Sequence, residues 1–242
     1  EMIAHGMGDL QAVSALALKA GLDMDMVGEG FLKTLKKSLD EGKVTEEEIT
    51  TAARRILEAK YKLGLFEDPY KYSDTQREQE VLLAKAHLEA ARDIARKSIV
   101  LLKNENSVLP LSKALESIAV IGPLADDKDS PLGNWRAQAD KNSAVSVLEG
   151  IKNMVGDAVQ INYAKGADLG MGERSFLMPL EINETDTSGF AEAIEAAKKS
   201  EVVVMVLGED AFQSGEGRSQ TGIQLRGVQQ ELLDEGVKVN TN

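Results

Sequence analysis

Cysteine is absent from the sequence, which excludes disulfides, thiolate catalysis and cysteine-ligated metal. The compartment stays open, because a periplasmic protein can also lack cysteine. Two histidines, His5 and His87, stand far apart, so no zinc cluster is expected, and His87 falls in a helical stretch where its role is structural. Long apolar runs are missing too. The longest, Val202–Leu207, is strand-sized and far short of the roughly 20 residues that cross a bilayer. No basic block exists: 40 acidic and 28 basic residues are interspersed, for a net charge of −12, which argues against a nucleic-acid partner. No basic-then-apolar signal segment follows Glu1, and a chain starting there reads as processed or excised.

What is present suffices for a soluble core. The 242 residues, 43% of them hydrophobic, can build one large domain or two small ones. The first part reads as helices. One is expected over 9–20 and a second over 30–41, with Phe31, Leu32, Leu35 and Leu39 on one face and Gly42 as a left-handed stop. A third starts at Thr45, where Thr45 and Glu48 form a capping box, and ends at Gly64. Between the first two, residues 21–26 alternate as a short strand would. Ser73-Asp74-Thr75-Gln76 opens a long helix expected to reach about Lys97.

Beyond Lys97 short apolar runs alternate with helical stretches. Strands are expected over 99–102, 118–121, 159–163 and 202–207, and helices over 145–154, 189–199 and 226–235. That alternation implies an α/β domain with a mainly parallel sheet covered on both faces. Two long loops, 123–142 and 165–188, are rich in turn formers, and such loops at the ends of parallel strands are where open α/β sheets place ligands.

The strand over 202–207 runs into Gly208–Ser219, a glycine-rich loop carrying Glu209, Asp210 and Glu216. A carboxylate flanked by Gly215 and Gly217 can approach a substrate closely, and Arg218 can orient it; the alternative is a solvated acidic loop. Gly122-Pro123 after the strand over 118–121 resembles the opening of a dinucleotide site. It lacks the remaining glycines, and Pro123 removes an amide that would cradle phosphate. Asp23 and Asp25, two apart, point the same way, as catalytic carboxylates or as capping and salt-bridging groups. Trp135, the single tryptophan, lies in the first long loop, where its ring fits the apolar face of a sugar or pins the loop.

Taken in order, several passages resemble glycoside hydrolase family 3, the β-glucosidases and β-xylosidases. They are Ala20–Met26, Ala53–Leu57 with Lys62–Pro69, Ala91–Glu105 with Leu109–Leu111, Ile118–Ala125 and Gly133–Trp135. The likeness covers nearly the whole chain and is closest to the periplasmic β-glucosidase branch. It implies the C-terminal end of a (β/α)8-like barrel over 1–66, a connector and long helix over 67–97, and a partial α/β/α sandwich over 98–242. The implied reaction is a retaining double displacement on terminal β-glucosidic bonds of small glucosides, without metal or cofactor.

Ser214–Ser219 resembles the family's acid/base loop, which makes Glu216 the general acid/base, with Glu209 in reserve. Asp23, Met24, Trp135 and Arg218 are the implied substrate contacts. The family's Asp nucleophile precedes the motif matched by Glu1–Gly6, so the chain alone is expected to be inactive, and Gly236–Asn242 reads as a truncated or foreign tail. A non-catalytic carbohydrate-binding or interaction domain is the alternative. The resemblance also implies a periplasmic or extracellular location, and an incomplete barrel would expose apolar edges that invite its missing half or self-association.

Overall fold

A computed structural model describes residues 2–176 and 178–242. Glu1, the first residue of the motif Glu1–Gly6, lies outside the described residues. The chain divides into two compact units, Glu1–Val100 and Leu101–Asn242.

The first unit is helical: α1 (Leu10–Lys19), α2 (Gly30–Asp40), α3 (Glu46–Lys62), α4 (Thr75–Val81) and α5 (Lys85–Ser98). Asp9 caps α1 through the amide of Ala12, and the expected Thr45/Glu48 capping box opens α3. Gly42 and Gly64, at φ +67° and +73°, end α2 and α3 in paired turns. Lys43 N–H reaches back to the Ser38 carbonyl and Leu65 N–H to that of Lys60, the left-handed stop that glycine allows. Ala15, Leu18, Val44 and Ala52 form a small core with Phe31, Leu35 and Ile49. Leu32, expected on the same face, instead points to solvent.

Two further expectations fail in this unit. Residues 21–26 form no strand, since among the described residues no neighbouring strand offers a ladder. The long helix over 73–97 is broken: Leu82 is extended and Leu83 adopts φ +53°. The Val81 carbonyl at the break accepts from the Ala84 amide and also meets the His87 ring at 3.1 Å, a structural role for that histidine.

The second unit is built on three parallel strands in the order β2-β1-β5. These are β1 (Ser117–Ile121), β2 (Gln160–Ala164) and β5 (Val202–Met205), with β3 (Gly170–Met171) and β4 (Glu181–Ile182) forming a separate antiparallel pair. Strand alternation divides the core. Ile118 and Val120 pack with Leu148 and Val159 on the face of α6 (Val147–Val155), while Ala119 and Ile121 meet Phe190, Ala193, Ala197 and Leu232 of α7 (Phe190–Lys198) and α8 (Gln229–Val239). Both faces are therefore covered, as an α/β layer domain requires.

Residues 99–102 form no strand, and Leu102 is 92% exposed. Their apolar pattern suits a strand, but strand pairing is non-local and no described neighbour bonds to them. The 236–242 stretch is no loose tail. It completes α8, Asn240 donates to the carbonyls of Ala197 and Ser200, and the Asn242 carbonyl accepts from Val203 beside β5.

Gly122 occupies the tightest point of the sheet. It has φ +131°, and a Cβ there would lie 2.3 Å from the Val206 carbonyl oxygen, so glycine is required by strand packing. Gly122→Ala should lower the unfolding free energy of this unit by roughly 2–5 kcal/mol, because overpacking and backbone strain each cost about 1–3. Urea denaturation followed by circular dichroism checks it.

Candidate active site

Parallel strands send their C-terminal loops out along one edge of a sheet, and the loops after β1, β2 and β5 all do so here. Together they line a cleft of about 700 Å³ whose walls include Trp135, Arg136, Lys141, Arg174, Phe176 and Phe212. Trp135 is 68% exposed and meets Phe176 edge to face, with ring centroids 5.4 Å apart and planes at 77°.

The β1 loop is organised by Asp127. Its carboxylate accepts from the amides of Asp129 and Ser130 at 2.7 and 2.9 Å and from the Ser130 hydroxyl at 2.6 Å. Burial by itself raises the carboxyl's pKa, but the Ser130 and Asp129 hydrogen bonds and the Arg174 guanidinium outweigh it and hold the group below its ordinary value of 3.8. Asp129 pairs with Arg136 at 2.8 Å, and Arg136 lies over the Phe212 ring at 4.9 Å.

The β5 loop is held at its root and along its length. Buried Gln229 of α8 accepts from the amide of Gly208 and donates to its carbonyl, both at 2.9 Å. Asp210, whose side chain is 0% exposed, pairs with Arg174 at 2.5 Å and accepts from the amide of Phe212, while Gln213 reaches back to the Asp210 amide. This reciprocal cap sets the short helix Ala211–Gln213. Arg174 also reaches Asp127 at 3.3 Å and Asp129 at 3.7 Å. A buried carboxylate without a partner would be costly, so the Asp210 loop folds around that arginine.

Glu216 sits on the turn that follows. Arg218 N–H bonds the Gly215 carbonyl at 3.2 Å and Gly217 has φ +70°, the positive φ that a type II turn demands at its third residue. Gly215 touches buried Asn134: a Cβ there would lie 2.7 Å from Asn134 Oδ1. The turn thus lies beside the Asn134-Trp135 segment. Glu216 is exposed and has no hydrogen-bond or ion-pair partner among the described residues. Glu209 is exposed and accepts from Gln220 at 2.7 Å.

Arg218 is engaged with backbone: its guanidinium donates to the carbonyls of Phe212, Phe176 and Met178 at 3.1, 2.8 and 2.9 Å. Asp23 and Met24 belong to the first unit, where Asp23 pairs with Arg55 of α3 at 3.0 Å and Met24 is exposed. Asp25 accepts from the amide of Phe31 and so caps α2. Among the described residues no group of histidine, aspartate and glutamate side chains is arranged to hold a metal ion. The cluster of Asp127, Asp129 and Asp210 around Arg174 was not found by sequence reasoning, since its members come from three loops, with Asp127 47 residues from Arg174 in sequence.

Residues 99–242 match the glycosyl hydrolase family 3 C-terminal domain. The chain belongs to glycoside hydrolase family 3. Its family relatives include the periplasmic β-glucosidase of Salmonella typhimurium, 38% identical over 245 residues, which is 96% of this chain and 32% of that protein. A β-xylosidase of Formosa agariphila is 38% identical over 231 residues, 90% of this chain and 30% of that one. Among solved family members, a β-glucosidase of intestinal bacteria involved in saponin metabolism superposes with a TM-score of 0.85 at 29% identity, covering 98% of this chain and 34% of the other. A mutant β-glucosidase of Listeria innocua in complex with laminaribiose gives 0.82 at 27% identity, with 99% and 30% covered. The chain therefore spans about a third of the length of these family 3 proteins.

The lowered carboxyl of Asp127 makes the loop's stability depend on pH. Its contribution is fully present above the ordinary value of 3.8 and is lost as pH falls through the lower folded value. Asp127→Asn should therefore be less stable than the parent at pH 7, and the two should converge as pH drops below 3.8. Urea titrations at stepped pH values check this.

Proposed function

We propose that the chain is part of a retaining β-glycosidase that removes terminal β-D-glucosyl groups from small glucosides, with Glu216 as its general acid/base. The observation that carries the reading is the Gly215–Arg218 turn on the loop after β5, which carries a carboxylate without a partner among the described residues and whose Gly215 rests against Asn134, the neighbour in sequence of the exposed Trp135. In a double displacement such a group protonates the leaving oxygen and then takes a proton from the attacking water, across the scissile bond from a nucleophile about 5–5.5 Å away. The nucleophile is an aspartate outside residues 1–242. Glu209 is the reserve acid/base.

Residues 1–66 are read as the end of a (β/α)8-like barrel, with 67–97 as connector and 98–242 as the sandwich domain. Met26 and Val27, 81% and 89% exposed, support completion of the first unit by further barrel strands. Met24 offers an apolar face to sugar, and Asp23, held by Arg55, a fixed acceptor. Trp135 contributes a stacking surface in the second unit. The likeness to the periplasmic β-glucosidase of Salmonella typhimurium supports a periplasmic or extracellular site of action.

A second reading, a carbohydrate-binding domain without catalysis, is favoured by the Trp135–Phe176 wall alone. Quenching of Trp135 emission by glucosides, with hydrolysis absent even when the barrel residues are supplied, would select it.

The chain by itself should not hydrolyse an aryl β-glucoside. In the longer enzyme, Glu216→Ala should lower turnover of glucosides with poor leaving groups by about 10²–10⁴-fold. Azide should restore turnover of activated aryl glucosides and yield a β-glucosyl azide. Loss of activity without azide rescue in that variant, but with rescue in Glu209→Ala, would transfer the role to Glu209.

A further inference from the structure

Two arginines are exchanged between neighbouring loops. Arg174, on the loop after β2, pairs with buried Asp210 on the loop after β5. Arg218, on the loop after β5, donates to the carbonyls of Phe176 and Met178 on the loop after β2. Each loop thus supplies the cation that secures the other. Phe176 stands at the crossing: its carbonyl accepts from Arg218, and its ring meets Trp135. On the other side, the amide of Arg218 closes the turn that carries Glu216.

We propose that Arg174 and Arg218 form a crossed latch that couples the Glu216 turn to the Trp135–Phe176 wall, making both arginines positioning residues. The catalytic meaning of the latch rests on the acid/base reading of Glu216; its mechanics do not.

The two arms differ physically. Arg174 neutralises a carboxylate that has no exposure to water, and it simultaneously reaches Asp127 and Asp129, so its removal strands buried charge. Among the described residues, the Arg218 side chain meets only neutral carbonyls. Its loss frees the loops and leaves Asp210 paired. A planar guanidinium serves both arms because it presents several donors in fixed directions, which a lysine ammonium does not.

The test is hydrogen exchange on the chain itself, with Trp135 emission recorded alongside, for Arg174→Gln, Arg174→Lys, Arg218→Ala and the Arg174→Gln/Arg218→Ala pair. Each of Arg174→Gln and Arg218→Ala should speed amide exchange in both loops, 173–178 and 208–218, by about tenfold or more, and shift Trp135 emission. The β1 amides should be unchanged. The double variant should add little to either single, the non-additivity expected of one coupled unit, and Arg174→Lys should fall between parent and Arg174→Gln. Faster exchange confined to the loop that lost its own arginine, or additive effects, would overturn the latch. Should Arg174→Gln also release the β1 amides, Arg218→Ala alone decides, since it strands no charge.

In the glycosidase that carries these residues, Arg218→Ala should lower kcat about tenfold to a hundredfold, as misplacement of a catalytic group does, and leave KM within about twofold. A raised KM at unchanged kcat would overturn the positioning role and assign Arg218 to substrate. Opening of both loops in a protein whose activity survives Glu216→Ala would leave the latch standing and remove the acid/base reading instead.

Discussion

The carboxylate of Asp210 lies wholly out of water, and the rest of the cleft is arranged around keeping it compensated. Breaking a buried pair of this kind costs roughly 3–5 kcal/mol, a large share of the stability of a domain of this size. The observed path of the loop after β5 therefore leaves its buried carboxylate compensated by Arg174. Arg174 lies on a different loop and is steadied by Asp127 and Asp129 from a third. One charge thus brings the loops after β1, β2 and β5 into a single arrangement. The capping of Phe212 by the same carboxylate extends that order into the segment that leads to Glu216.

Such convergence is possible only because the sheet is parallel. With β1 between β2 and β5 in the same direction, each strand ends on one edge, and the crossovers through α6 and α7 return the chain to the opposite edge. Gly122 sets how closely β1 approaches the chain beyond β5, since a Cβ on it would lie 2.3 Å from the Val206 carbonyl oxygen. The glycine that resembled the opening of a phosphate cradle is therefore explained by strand packing. At the root of the loop, Gln229 satisfies both backbone groups of Gly208, which couples α8 to the position where Glu209 begins.

The sequence disclosed those parts whose signals are local. Capping at Thr45, the glycine stops at 42 and 64, the three sheet strands and the helices α6 to α8 all rest on side chains and periods that act within a few residues of themselves. The apolar run over 99–102 and the alternation over 22–26 are equally local signals, but a strand exists only through a neighbour, and neither stretch has one among the described residues. The break at Leu83 was hidden for the opposite reason, as no glycine or proline marks it. Among the proposed site residues, Glu216 and Trp135 could be singled out by residue type and by flanking glycines. Arg174 could not, because its role is defined by carboxylates from two other loops, and Arg218 donates to backbone carbonyls, which carry no residue identity at all.

On the proposed reading, the Glu216 turn reconciles two opposing demands on an acid/base. The carboxylate has to exchange protons with a leaving oxygen and then with water, so it must remain unengaged and reachable; yet it has to be positioned to well under an ångström for either transfer to be efficient. A carboxylate held by its own hydrogen bonds would be well placed but occupied. Here the constraint is applied to the backbone instead: Gly217 at φ +70° closes the turn, Arg218 anchors its far side to the loop after β2, and Gly215 rests against Asn134. Glu216 itself is left without a partner among the described residues. Fixing the chain on both sides of a free side chain meets both demands, and it explains why the glycines flank the glutamate while the arginine faces away from it.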